Sequence, residues 1–139
     1  MSGNLKVNLA TSDGVALVDP VCADATLLAS GSRTTTQNGA DITNTKYRGI
    51  HVYLDMTVVG TGSVTLTIQG KDSVSGGYYT ILAGAAVITN VANVYRVYPG
   101  LTAAANAVAN DVLPRTFRII VTANNANAAT YSVGYSLIP

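Results

Sequence analysis

From residue 47 onward, apolar and polar residues alternate with a period of two. In "RGIHVYLDMTVV" (residues 48–59), Ile50, Val52, Leu54, Met56 and Val58 share one face, while His51, Tyr53, Asp55 and Thr57 share the other. That is the signature of a half-buried strand. After "GTG" at 60–62, "SVTLTIQGK" repeats it, with Val64, Leu66 and Ile68 inward and Ser63, Thr65, Thr67 and Gln69 outward. The two runs are therefore expected to form a hairpin. "TFRIIVTA" turns Phe117, Ile119 and Val121 to one face. "TYSVGYSLI" turns Tyr131, Val133, Tyr135 and Leu137 to one face and is expected to close the sheet. Leu54, Leu66, Ile68, Ile119 and Val133 sit at the centres of these inward sets and are predicted to be buried together.

Elsewhere the signal is weaker. "YYTILAG", "NVYRVYP" and "ATLLAS" read as strands, and "AGAAVI" is too short and uniformly apolar to assign. Asn38-Gly39 within "RTTTQNGADIT" predicts a Thr-rich hairpin with a type I′ turn, whose central positions need positive φ. "PGLTAAANAVANDVLP" (99–114) has alanines that permit a helical turn, but its Pro, Gly, Asn and Asp favour a long loop, either functional or packed over one end of the domain. Residues 1–20 hold Gly, Asp, Asn and Pro spaced so that no long element survives, which predicts an N-terminal arm. Some eight strands, with no repeat and no linker, predict an all-β fold: an antiparallel β-sandwich or jelly-roll-like single domain over 21–139. In an assembly the arm is expected to lie across a neighbouring copy.

Composition sharpens this picture. Only 11% of residues are charged, against about a quarter in ordinary soluble domains. There is no glutamate, and Thr, Ser, Asn, Val, Ala and Gly dominate, so the usual material of surface helices is missing. A net charge of +1 provides no field to gather phosphates, and nucleic acid is not an expected partner. No apolar run resembles a signal-peptide core or a membrane span, so neither export nor membrane insertion is expected.

Candidate chemistry is thin. His51 is the single histidine, and Asp55 follows it by four residues. On a strand that spacing separates them by about 13 Å, beyond hydrogen-bond reach; a serine or cysteine from another strand remains a conceivable partner for His51. Cys22 is the single cysteine and has no partner at metal-ligand spacing. The seven aspartates fall mostly in turn contexts, and "GTGSVT" lacks the spacing of a nucleotide-binding loop. Arg115 and Arg118, three apart, point to opposite faces of a strand and suit pairing with aspartate better than a basic stripe. Eight tyrosines offer a sugar-stacking platform as an alternative to core and rim roles. No catalytic, cofactor-binding or metal-binding residue is assigned, and an enzyme is not expected.

The segments "SVTLTIQGKDSVSGGYYTILAGAAVI", "VYRVYPGLTAAANAVANDVLPRTFRIIVTANN" and "ATYSVGYSLI" resemble a group of small proteins encoded among the structural genes of tailed bacteriophages and prophages. The resemblance spans roughly residues 45–139 and carries no site motif. It implies a non-enzymatic virion protein with a compact β-sandwich or barrel, made in the host cytoplasm. The implied role is a capsid decoration (cement) protein that binds the major capsid protein or other virion subunits at the capsid surface as a homo-oligomer. The alternative is a tail, neck or host-glycan-binding domain of the virion. A surface of short, uncharged side chains fits an assembling subunit independently, since it costs little to desolvate or immobilise.

Overall fold

The computed structural model describes residues 21–139 and two short paired strands before them, β1 (Leu9–Ala10) and β2 (Ala16–Leu17). The expected arm, residues 1–20, otherwise lies outside the described residues. Ten further strands follow: β3 (Ala23–Arg33), β4 (Gln37–Asn38), β5 (Ile42–Thr43), β6 (Gly49–Val58), β7 (Val64–Lys71), β8 (Tyr78–Ala83), β9 (Ala92–Val97), β10 (Val108–Ala109), β11 (Thr116–Ala123) and β12 (Ala129–Ile138).

These ten strands form an all-β sandwich of two five-stranded sheets. One sheet has the order β10-β9-β6-β12-β3, and the other has the order β4-β11-β7-β8 with β5 also on β11. All pairings are antiparallel except β9–β10, which is parallel. The inward rows meet between the layers: Leu54, Leu66, Ile68, Ile119 and Val133 are all fully buried in one cluster with Ile50, Val52, Phe117 and Val121. Burial alternates residue by residue along β7 and β11, as a strand with one covered face requires.

The expected hairpin between residues 50–58 and 63–69 does not form. β6 and β7 lie in opposite sheets, and the turn at 59–63 crosses from one layer to the other. Period-two patterning fixes which face is buried but is silent on whether the next strand pairs alongside or packs opposite. Gly60 takes φ 52° in this turn, where other residues are strained. A bulge near Thr57 shifts the register between β6 and β12, so Val58 turns outward at 57% exposure and Val59 turns in.

The Asn38-Gly39 hairpin is also absent: β4 and β5 both pair with β11, as one interrupted edge strand. The glycine is needed for a different reason. Its N–H donates to the Ile119 carbonyl at 3.0 Å, and a Cβ there would come within 2.3 Å of that oxygen. β12, expected to close its sheet, is instead central, between β6 and β3. Residues 99–114 form no helix; they loop back to add β10 to the edge of β9. "AGAAVI" supplies the last residue of β8 and a single bridge from Val87 to Val64.

Register shifts against β12 put bulges in β3, and adjacent Leu27 and Leu28 are both half-buried. Arg33 folds back over this irregularity. Its guanidinium donates to the carbonyls of Ala29, Gly31 and Tyr131 and sits 5.0 Å from the Tyr131 ring centroid. At the other end, Asn44 is the one buried polar residue among those described. Its amide donates to the carbonyls of Tyr47 (2.7 Å) and Leu113 (3.2 Å), and its Oδ1 accepts from the Tyr47 N–H (2.9 Å). One side chain thus fixes the turn into β6 and ties the 99–114 loop to it.

Leu66→Ala is expected to cost about 2–5 kcal/mol as a transfer-plus-cavity effect, measured by denaturant unfolding; a change within error would contradict the face assignment. Asn44→Ala is expected to lower stability by about 1–3 kcal/mol, because the Leu113 carbonyl loses its partner in a buried setting.

Candidate functional site

Three groupings merit chemical scrutiny. The first is a row across the outer face of the β6 sheet. Ser136 on β12 lies opposite Asp24 on β3 and opposite His51 on β6, and His51 lies opposite Arg96 on β9. A serine therefore does come beside His51. The order is nonetheless not that of a nucleophile triad, in which the acid orients the histidine and the histidine receives the serine proton. Here the Ser136 hydroxyl donates directly to Asp24, and His51 is flanked by Arg96. Desolvation first, then the Arg96 charge, hold His51 below its ordinary pKa. Its ring packs edge-to-face on Tyr53, with centroids 6.4 Å apart. Asp55 is on the same strand, four residues away, with Ser132 opposite it.

The second grouping lies on the outer face of the β7 sheet. Lys71 Nζ pairs with Asp41 Oδ2 at 2.7 Å, and the Tyr78 hydroxyl donates to Asp41 Oδ1 at 2.6 Å. Arg118 stacks its guanidinium 3.4 Å from the Tyr78 ring centroid and donates through Nε to Gln69 Oε1 at 2.8 Å. The Lys71 hydrogen bond, followed by that of Tyr78, holds the Asp41 carboxyl below its usual range. The cluster links β7, β8, β11 and the segment entering β5, so every member is already engaged in joining strands. Arg118 is thus paired through a tyrosine and a glutamine beside Asp41, while Arg115 precedes β11 and is not on a strand face.

The third is a cleft of about 180 Å³ between residues 85–91 and the 99–114 loop, lined by Thr89, Asn93, Tyr95 and Asn106 among others. Asn106 takes φ 63°, and the Asn93 Nδ2 is buried without a partner. Tyr95 is buried, and desolvation raises its pKa.

The tyrosines divide between core and surface, with Tyr53 and Tyr79 exposed on different sheets. Tyr95 and Tyr131 are core residues, Tyr98 donates to the Pro139 carbonyl, and the exposed Tyr78 already carries Arg118 on its ring. Cys22 is exposed just ahead of β3. Among the described residues, no three His, Cys, Asp or Glu side chains are grouped to hold a metal ion, and no helix is long and apolar enough to cross a membrane.

Charge is distributed unevenly. One pole of the sandwich carries the turns 44–48 and 72–77 and the 99–114 loop; Lys46, Arg48, Asp72, Asp111 and Arg115 lie there, and Asp24, Asp41, Lys71, Arg96 and Arg118 sit in the adjoining half of the strands. The opposite pole carries the connections 34–36, 59–63, 84–91 and 124–128, and none of them contains a charged residue. Of the charged side chains described, only Arg33 and Asp55 belong to that half.

No protein-family model, curated protein or solved structure matches this chain.

With its folded pKa depressed, His51 binds its proton less readily in the folded state than in the unfolded one. Stability is therefore fully retained above the ordinary value of 6.5 and declines as pH falls through it. His51→Gln is expected to flatten the decline in melting temperature between about pH 7 and about pH 5, with little change at the upper end. An unaltered pH profile would contradict the assignment.

Proposed function

We propose that this protein is a non-enzymatic virion structural protein of a tailed bacteriophage, a capsid decoration protein that binds and stabilises the assembled shell. One observation carries the reading: the outer faces present short uncharged side chains, and Asp24, Asp41, Lys71 and Arg118 there are already engaged within the chain. Thr65 and Thr67 on β7, Thr122 on β11 and Ser132 and Gly134 on β12 face outward. Such faces lose little side-chain entropy and desolvate few charges when covered by another subunit. Binding only the assembled state would shift the balance away from rupture by mass action. The resemblance of residues 45–139 to phage structural proteins supports the same role.

A second reading, recognition of host glycan, is favoured by the cleft lined by Thr89, Asn93 and Asn106, whose hydroxyl and amides suit sugar hydroxyl groups.

Purified chain added to capsids lacking it is expected to co-sediment with them and to raise their rupture temperature. Failure to bind capsids, together with glycan-array binding abolished by Asn93→Ala, would overturn the decoration reading in favour of the second.

A further inference from the structure

We infer that the cleft between residues 85–91 and the 99–114 loop binds one uncharged acetamido sugar, whose N-acetyl carbonyl accepts from the Asn93 amide. The inference rests on the glycan reading and names the class of sugar. Asn93 is out of keeping with its strand. The inward positions of β9 are Asn93, Tyr95 and Val97; the last two are buried, and Asn93 lies opposite the fully buried Leu54 of β6. An amide in a core-facing row is a conflict between local pattern and fold, and such conflicts gather at functional sites. The chain itself does not resolve it. Among the described residues Asn93 Nδ2 is buried without a partner, whereas Asn44, Asn90, Asn110 and Asn125 each engage the main chain through their side chains. A buried donor left unpaired is unfavourable, so a ligand that brings an acceptor gains affinity by relieving it. The last torsion of an asparagine side chain is soft, and swinging about it presents the amide to the cleft that Asn93 lines.

The rest of the lining selects the ligand. No lining residue is charged, so a phosphate, a uronate or a sialate would lose hydration there without gaining a counter-charge. Ala85, Ala86 and Val87 supply an apolar wall, and Thr89 and Asn106 are exposed beside it with a hydroxyl and an amide that both donate and accept. At about 180 Å³ the cleft is smaller than the roughly 300–1,000 Å³ of sites that enclose a drug-sized ligand, so it takes a single unit. An acetamido group joins an acceptor carbonyl to a methyl group, which together match the Asn93 amide and the alanine wall. The ring hydroxyls then meet Thr89 and Asn106. An unsubstituted hexose offers the hydroxyls alone. The cleft uses none of the outward residues of β7, β11 and β12 invoked for decoration, so both roles fit one chain.

The test is heteronuclear NMR titration of the full chain with N-acetylglucosamine, glucose and N-acetylalanine methylamide. N-Acetylglucosamine is expected to shift the backbone signals of residues 85–91, Asn93 and Asn106, and glucose to bind at least about tenfold more weakly. Asn93→Leu removes the donor and suits a core-facing position. It is expected to weaken N-acetylglucosamine at least about tenfold while holding or raising the melting temperature, which a merely structural asparagine would not do. Asn106→Gly, which accommodates the φ of 63° at that position, is expected to weaken the sugar in a folded chain. Equal binding of the two sugars, shifts confined to another surface, or full binding by both variants overturns the acetamido inference and leaves glycan recognition standing. No response to either sugar overturns both. Occupation of the cleft by N-acetylalanine methylamide in preference to the sugar overturns both in favour of a peptide ligand.

Discussion

Everything in this fold depends on the burial of two sets of inward-facing side chains against one another. Six of the connections in the sandwich pass from one sheet to the other, and a single hairpin, β7–β8, joins antiparallel neighbours in sequence. Local turns therefore do little to establish the sheets. Strand partners such as β12 and β3, or β11 and β7, come from distant parts of the chain and meet because their alternating apolar faces share one interior. Ordering such distant segments before their contacts form is entropically demanding, and folding of this topology is correspondingly slow.

Period-two alternation identifies β6, β7, β11 and β12 and most of their buried faces, down to the fully buried Leu66 and Ile119, but not Val58, which a bulge turns outward, nor β10, which lies in a stretch that reads as a loop. It was insufficient for topology. The 59–63 turn has the glycines of a hairpin yet crosses between sheets, because the same inward row satisfies either geometry. Gly39 illustrates a correct residue with a different cause: close approach of the Ile119 carbonyl, not positive φ, requires it. Asn44 carries no distinguishing mark in the sequence. Its signal, an asparagine three residues before Tyr47 at a turn, is common in exposed loops, and only the arrival of Leu113 from far along the chain makes it a buried organiser.

The candidate chemistry was legible mainly in what it ruled out. Strand spacing separates His51 from Asp55, but the row Asp24–Ser136–His51–Arg96 assembles from four strands and is invisible until their register is known. The same holds for the Arg118–Tyr78–Asp41 cluster and for the division of charge between the poles. Low overall charge could be read from composition; its concentration at one end is a consequence of which turns share that end. That division gives an otherwise uniform sandwich a direction. One pole carries most of the described charged residues, and the connections of the other can be covered without desolvating a charge.

The proposed role in a particle is tested most directly by cryo-electron microscopy of virions purified from cells that make the protein. The predicted result is two-layer β densities at regular positions on the capsid, with an outer sheet face against a neighbouring subunit. Capsids devoid of such density would contradict it.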